Sequence, residues 1–251
     1  MRVISLGWGC QSFALAAMSA LGVLPKVDYV IHADTTHEQQ STYEFAKRWT
    51  PWLEEHGMKV ITVTPNRGTS PLANEWGGVF IPAYTIGDGV YGQLRRQCTY
   101  EWKVKPIKRW LQKHRNKEPV EMWLGITLDE SHRAKQADVK YIHHRWPFLE
   151  RQFWNGRMLR RGDVIRWLVE NLGKDAVPGK SACYFCPYHT KAEWRRIYNS
   201  PDWKKAVEFD RAIRKLRPPY DLFVHRDRVP LEEVDMSSPE DHGQLPLWTS
   251  R

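Results

Sequence analysis

The chain has 251 residues, 41% hydrophobic and 27% charged, which is ordinary for a soluble globular protein and enough to bury the core of one α/β domain with a small appendage. No run of eighteen apolar residues occurs, which excludes a membrane-crossing helix, and the short apolar N-terminus runs straight into a glycine-rich turn rather than a signal peptide, so a cytoplasmic setting without a membrane partner is expected. The net charge of +9 favours polyanionic partners, nucleotide or nucleic acid, and in a reducing compartment the four cysteines read as ligands or reactive thiols rather than disulfides.

In chain order, Arg2–Leu6 reads as a strand and Ser12–Leu21 as an alanine-rich helix stopped by Gly22. Residues 29–33 form a short apolar, β-branched run, 38–56 show helical spacing of Tyr43, Ala46, Trp49 and Leu53, and 59–64 alternate like a strand. This strand–helix alternation predicts a doubly wound, mostly parallel sheet with crossover helices. Residues 65–95 are rich in glycine and proline and read as a long loop over a site. A helix over 102–114 carries Pro106 inside it, marking a kink or a late start. A strand over 121–127 ends at Asp129-Glu130, and a mixed stretch runs to Trp154. Helices follow over 163–171, 192–198 and 203–216, with a cysteine-containing loop at 181–189. The expected organisation is an α/β domain over 1–180, a cysteine loop and helical region over 181–229, and an extended tail over 230–251.

A strand, a glycine-rich turn and a helix make a phosphate-binding geometry, because glycines let the backbone approach oxygens and the first helical N–H groups face the anion. The turn here is Ser5-Leu6-Gly7-Trp8-Gly9-Cys10-Gln11-Ser12. It lacks the Gly-Lys-Ser/Thr ending of a Walker loop and the third glycine of the dinucleotide fingerprint. Locally the alternative reading is a tight turn after a first strand.

Several further stretches occur in order: His32-Ala33-Asp34-Thr35; Arg96-Gln97-Cys98-Thr99 with Lys103 and Lys105-Pro106-Ile107; Gly125 through Arg133; Pro147 through Glu150; Ser181 through His189; and Glu193-Trp194. Together with the first loop they resemble the phosphoadenosine phosphosulfate reductase-like branch of the adenine nucleotide α-hydrolase (PP-loop) superfamily, of the type common in phages and mobile elements. The resemblance runs over roughly residues 1 to 235. It implies that Ser5, Gly7, Gly9, Gln11 and Ser12 hold the phosphates of ATP or a related adenine nucleotide. It also implies that Asp34 and Asp129 lie near the nucleotide or Mg²⁺. Gln11 stands where many relatives have Asp and is the poorer metal ligand, which shifts any Mg²⁺ binding to Asp34 or Asp129.

Cys183 and Cys186 form Cys-x-x-Cys, and Cys98 lies 85 residues before the first of them. Three thiolates can hold a [4Fe–4S] cluster with an open iron, or zinc with a fourth ligand such as His189; a metal-free redox pair is the third reading. Cys10, inside the phosphate loop, reads as a loop residue rather than a ligand. Three-cysteine clusters in related thiolating enzymes suggest sulfur transfer or base modification of a nucleic acid or nucleotide, with ATP activating the acceptor. The sulfonucleotide reductase alternative lacks its C-terminal Glu-Cys-Gly, since no cysteine follows Cys186. A non-catalytic, clamp-tethered nucleic-acid-binding protein is the third alternative.

Cys98, Asp129 and Arg133 are the candidate catalytic residues, and Arg95, Arg96, Lys103 and Lys105 are candidate phosphate contacts. Of the thirteen tryptophans, those in Lys47-Arg48-Trp49 and Trp194-Arg195-Arg196 are placed to stack on bases, although most tryptophans are expected in the core. His143-His144 on a strand point apart, so surface or packing roles are expected of them. The tail stretch Gln244-Leu245-Pro246-Leu247-Trp248 resembles the peptide by which bacterial replication proteins dock into the sliding clamp.

Overall fold

The computed structural model describes residues 1–65 and 79–237. In chain order the elements are β1 (Arg2–Leu6), α1 (Cys10–Ala20), β2 (Tyr29–Ala33), α2 (Gln40–Glu55), β3 (Val60–Val63), β4 (Tyr84–Gly87), β5 (Val90–Gln93), α3 (Lys105–His114), β6 (Val120–Trp123), β7 (Ile142–Arg145), α4 (Arg161–Leu172), α5 (Lys191–Tyr198), α6 (Asp202–Ile213) and β8 (Asp221–Phe223). They fall into two compact units. One comprises residues 1–68 and 99–182, the other 69–98 and 183–251.

The first unit is a five-stranded parallel sheet in the order β3-β2-β1-β6-β7. Its three central strands, β2, β1 and β6, are largely buried on both faces, as parallel sheets require. Ile4, Leu6, Val30 and Trp123 join Phe13, Leu15 and Met18 of α1 and Val164 and Leu168 of α4 in one core. Val3, Ile31, Ala33, Val120, Met122 and Ile142 turn the other way, onto Ile107 and Leu111 of α3. Each such fully buried side chain contributes about 1.5–3 kcal/mol. The chain passes from β3 at one edge to β6 on the far side of β1. The strand order therefore reverses between β1 and β6, the switch point where open α/β sheets form their ligand crevice.

Three local readings change. α1 begins at Cys10, two residues before the expected Ser12, because the turn is completed by Gly7-Trp8-Gly9. The helix expected over 102–114 is a π-helical turn, Tyr100–Val104, running into α3, with Pro106 in the first turn of α3. Proline has no N–H and crowds the carbonyl four residues back, and the wider turn before it accommodates both. β6 stops at Trp123, and β7 lies beside it as a polar edge strand within the stretch read as mixed.

In the second unit, the expected long loop over 65–95 is partly a hairpin. β4 and β5 pair antiparallel around Asp88-Gly89, whose φ values of +49° and +74° are those of a type I′ turn. β8 completes a three-stranded sheet in the order β5-β4-β8. Phe185 stacks on Phe209 of α6 at 3.7 Å between ring centroids. Buried Asp210 accepts the backbone N–H groups of Val224 and Leu231 at 2.8 and 3.1 Å and pairs with Arg214. The start of the expected tail is folded: Leu231 and Val234 are buried around a short 3₁₀ turn. The stretch Gln244–Trp248 lies outside the described residues. No helix among the described residues is long and apolar enough to cross a membrane.

Candidate functional site

The loop after β1 is built from its own polar groups. Ser12 Oγ accepts the Gly7 N–H at 3.1 Å and donates to the Gly9 carbonyl at 3.1 Å. Trp8 takes the left-handed conformation, φ +55°, so the two glycines beside it do not. Its indole is buried against Phe13, Phe45 and His32 at centroid distances of 6.2–6.3 Å. Gly9 is the N-cap of α1 and no side chain caps the helix, so its first N–H groups have no side-chain cap beside the glycines. An added Cβ on Gly7 or Gly9 would meet nothing nearer than 3.8 Å. Ser5 lies in β1, one residue before its end.

Two partners from far along the chain fix this loop, a pairing that no local sequence pattern announces. Ser181 donates its hydroxyl to the Gly7 carbonyl. Gly125, after β6, approaches so closely that a Cβ there would sit 2.7 Å from the Gln11 carbonyl carbon and 2.8 Å from the Ser12 nitrogen. Gln11 Nε2 donates to Glu130 at 3.0 Å, and the other oxygen of Glu130 pairs with Arg133 at 2.5 Å. Glu130 thus holds both candidate side chains.

Asp34, just past β2, uses one oxygen to accept the Thr36 N–H at 2.7 Å and the Tyr43 hydroxyl at 2.8 Å. Burial, and then that hydrogen bond, push the Tyr43 phenol well above its ordinary range. Asp129 accepts the Arg161 N–H at 2.6 Å at the start of α4 and pairs with the Arg160 guanidinium at 3.4 Å. The backbone N–H of Arg161 foremost holds the Asp129 carboxyl below the usual range. Cys10 is buried, and that burial pushes its thiol up against the opposing charge of Arg161, which leaves it a packing residue rather than a nucleophile.

His32, buried beneath the loop, donates through Nδ1 to the Leu6 carbonyl at 3.0 Å. Burial lowers its pKa from 6.5. The folded ring therefore stays neutral where the unfolded chain takes up a proton, and stability is lost as pH falls from about 6.5 toward the folded value. Urea unfolding at pH 7.5 and 5.5 is expected to show this loss in the wild type and a smaller one in His32→Gln. Equal losses in both would remove His32 as the cause.

The cysteines Cys98, Cys183 and Cys186 all belong to the second unit and are half-buried. Cys98 is held by its N–H on the Phe80 carbonyl at 2.9 Å. Cys183 and Cys186 share one turn, the N–H of the second donating to the carbonyl of the first at 3.0 Å. His189, the example of a fourth ligand in the zinc reading, braces that turn. Its Nε2 lies 2.9 Å from the Cys183 carbonyl, its Nδ1 faces Glu193 at 3.7 Å, and its ring is buried edge-on to Trp194. Burial, and then the charges of Cys183, Asp202 and Glu208, push the Tyr184 phenol up to about 12. Among the described residues no three Cys, His, Asp or Glu side chains gather as a metal-holding group.

Of the other candidates, Arg96 lies over the Tyr188 ring at 5.4 Å, Lys103 pairs with buried Glu38 at 2.8 Å and Lys105 with Glu101 at 2.9 Å. Arg95 is exposed. Trp49 and Trp194 are buried in aromatic clusters and cannot stack on a base. His144 Nδ1 contacts the Lys135 carbonyl at 2.8 Å at the sheet edge, a packing role.

No family model and no curated protein matches the chain. Among solved structures it is similar to a phosphoadenylyl-sulfate (PAPS) reductase from Candida auris in a phosphate complex. The identity is 15% over 70% of this chain and 73% of that one, with a TM-score of 0.45. It is also similar to the U34-tRNA thiolase NcsA from Methanococcus maripaludis with its [4Fe-4S] cluster, at 12% identity over 86% of this chain and 72% of that one, with a TM-score of 0.41.

Proposed function

We propose that the chain is a PP-loop enzyme that binds ATP or a related adenine nucleotide at the Gly7–Ser12 loop and uses it to modify a nucleic acid or nucleotide, by sulfur transfer or base modification. One observation carries the reading. Gly7 and Gly9 need neither a left-handed backbone nor relief from crowding, so their missing side chains serve something outside the loop. That space adjoins an uncapped helix N-terminus at the switch point of the sheet, where an anion is stabilised by backbone N–H groups and the helix dipole.

In this reading the N–H groups of Gly9, Gln11 and Ser12 and the Gln11 amide bind phosphate oxygens, and Arg133 neutralises the charge that develops on them. Asp34 keeps one oxygen for Mg²⁺ or the nucleotide, and Asp129 sets the start of α4. ATP would activate the acceptor when an acceptor oxygen attacks the α-phosphorus and pyrophosphate leaves. The finer proposal gives Cys98, Cys183 and Cys186 to a [4Fe–4S] cluster, supported by the soft thiol donors and their common place in one unit.

Calorimetry is expected to show ATP binding to the full chain, weakened about tenfold or more in Ser12→Ala, which loses two hydrogen bonds of the loop. A wild type with no ATP affinity would overturn the nucleotide reading. Anaerobic purification with iron and sulfide analysis tests the cluster separately, and a colourless protein with stoichiometric zinc rejects it.

A further inference from the structure

The segment that leads into α4 and through its first two turns is unusual in charge and surface. Between residues 151 and 167 stand five arginines, Arg151, Arg157, Arg160, Arg161 and Arg166, and a single carboxylate, Asp163. All five arginines are exposed. Asp163 cannot neutralise them. One of its oxygens accepts the Arg160 N–H at 2.9 Å as part of the helix cap, and the other is shared at 3.7 and 3.8 Å by Arg157 and Arg166. Those distances are beyond a hydrogen bond, and the two guanidinium side chains are 64% and 67% exposed, so their donors remain turned to water.

Between these two arginines lies a cavity of about 160 Å³, with Trp154, Trp167, Leu159 and Met18 in its lining and a second carboxylate, exposed Glu170, at its edge. Both indoles are partly exposed, unlike the buried Trp49 and Trp194. The rim adjoins the nucleotide loop through the side chains already described: Asp129 takes Arg160 and Arg161, and its neighbour Glu130 takes Gln11.

We infer that this face is a docking surface for single-stranded nucleic acid, with Arg157 and Arg166 on backbone phosphates and one unstacked base in the Trp154–Trp167 cavity. Guanidinium groups suit phosphate oxygens, and a base offers the flat apolar face that an indole-lined cavity accepts. A duplex keeps its bases inside the stack and offers none. An acidic peptide supplies the charge without the ring. The strand's role as acceptor rests on the nucleotide reading above, whereas its binding does not.

The test is fluorescence anisotropy of the full chain with labelled single-stranded oligoribonucleotide and oligodeoxyribonucleotide across a salt series. The wild type should bind, with log affinity falling linearly with log salt. Arg157→Gln with Arg166→Gln should reduce the steepness of that fall by about 1.4, at roughly 0.7 per phosphate contact. Trp167→Leu should weaken binding about tenfold and leave the slope unchanged. Tighter binding of either sugar supports the proposal. No binding by the wild type, unchanged binding by the arginine pair, or equal competition by duplex or polyglutamate overturns it. Ser12→Ala should keep the oligonucleotide affinity. Oligonucleotide binding without ATP binding would sink the nucleotide reading alone, and ATP binding without oligonucleotide binding would sink this one alone.

Discussion

Gly125→Ala is expected to lower stability by about 3 kcal/mol, near the upper end for overpacking a tight contact, and to weaken ATP binding at least tenfold. The cause is steric. The new methyl would sit 2.7–2.9 Å from the carbonyl carbon and oxygen of Gln11 and the nitrogen of Ser12. These are backbone atoms within the first turn of α1, and they cannot swing aside as a flexible side chain would. Either α1 retreats from β6 or the loop after β6 does, and each movement opens the switch point. Gly125 has no left-handed φ, so backbone strain adds nothing to the effect. Gly162 in α4 supplies the control, because an added Cβ there meets nothing within 4 Å. Gly162→Ala should be neutral or stabilising by up to about 1 kcal/mol. Thermal melts and calorimetry of the two variants decide the matter. If Gly125→Ala melted and bound like the wild type, Gly125 would not be what holds the loop.

That contact also marks where reading the sequence stops. The alternation of β1, α1, β2, α2 and β3 was legible because each element is apolar with its own period and the first strands pair in order. The phosphate loop was legible because its glycines, strand and helix are contiguous. Gly125 and Ser181 are over a hundred residues from the loop they fix, and nothing local in either stretch encodes the pairing. β7 is weakly marked beyond its two histidines, because an edge strand reading Ile-His-His-Arg carries a single apolar residue. The β4–β5 hairpin is a different case. Asp88-Gly89 is a hairpin-turn signal, but the strand after it reads Val-Tyr-Gly-Gln, without apolar alternation, and its Val90 and Tyr91 are 56% and 66% exposed. The cysteine spacing was plain to read, but spacing does not say how three thiols are arranged. Nor does the spacing announce that His189, six residues after Cys183, braces the Cys183 carbonyl.

Trp8→Ala is expected to cost about 3–5 kcal/mol, as truncating a fully buried aromatic residue does. Trp8→Gly should cost about 1 kcal/mol less than the alanine variant, although glycine is ordinarily the more destabilising choice. The inversion follows from two opposing effects at one residue. Trp8 sits at φ +55°, where a side chain is strained and glycine is not. The indole offsets that strain by packing on Phe13 of α1, Phe45 of α2 and His32 of β2. Alanine keeps the strain and loses the packing, whereas glycine loses both. Urea unfolding of the three proteins should therefore order them wild type, glycine, alanine. An alanine variant as stable as the glycine variant would mean that the backbone strain at Trp8 is negligible. The order also bears on function. A left-handed residue locked by three rings holds Gly7 and Gly9 in one arrangement before any nucleotide arrives. Both variants should then bind ATP more weakly than the wild type at a temperature where all three are folded, because each must pay the ordering entropy of the loop on binding.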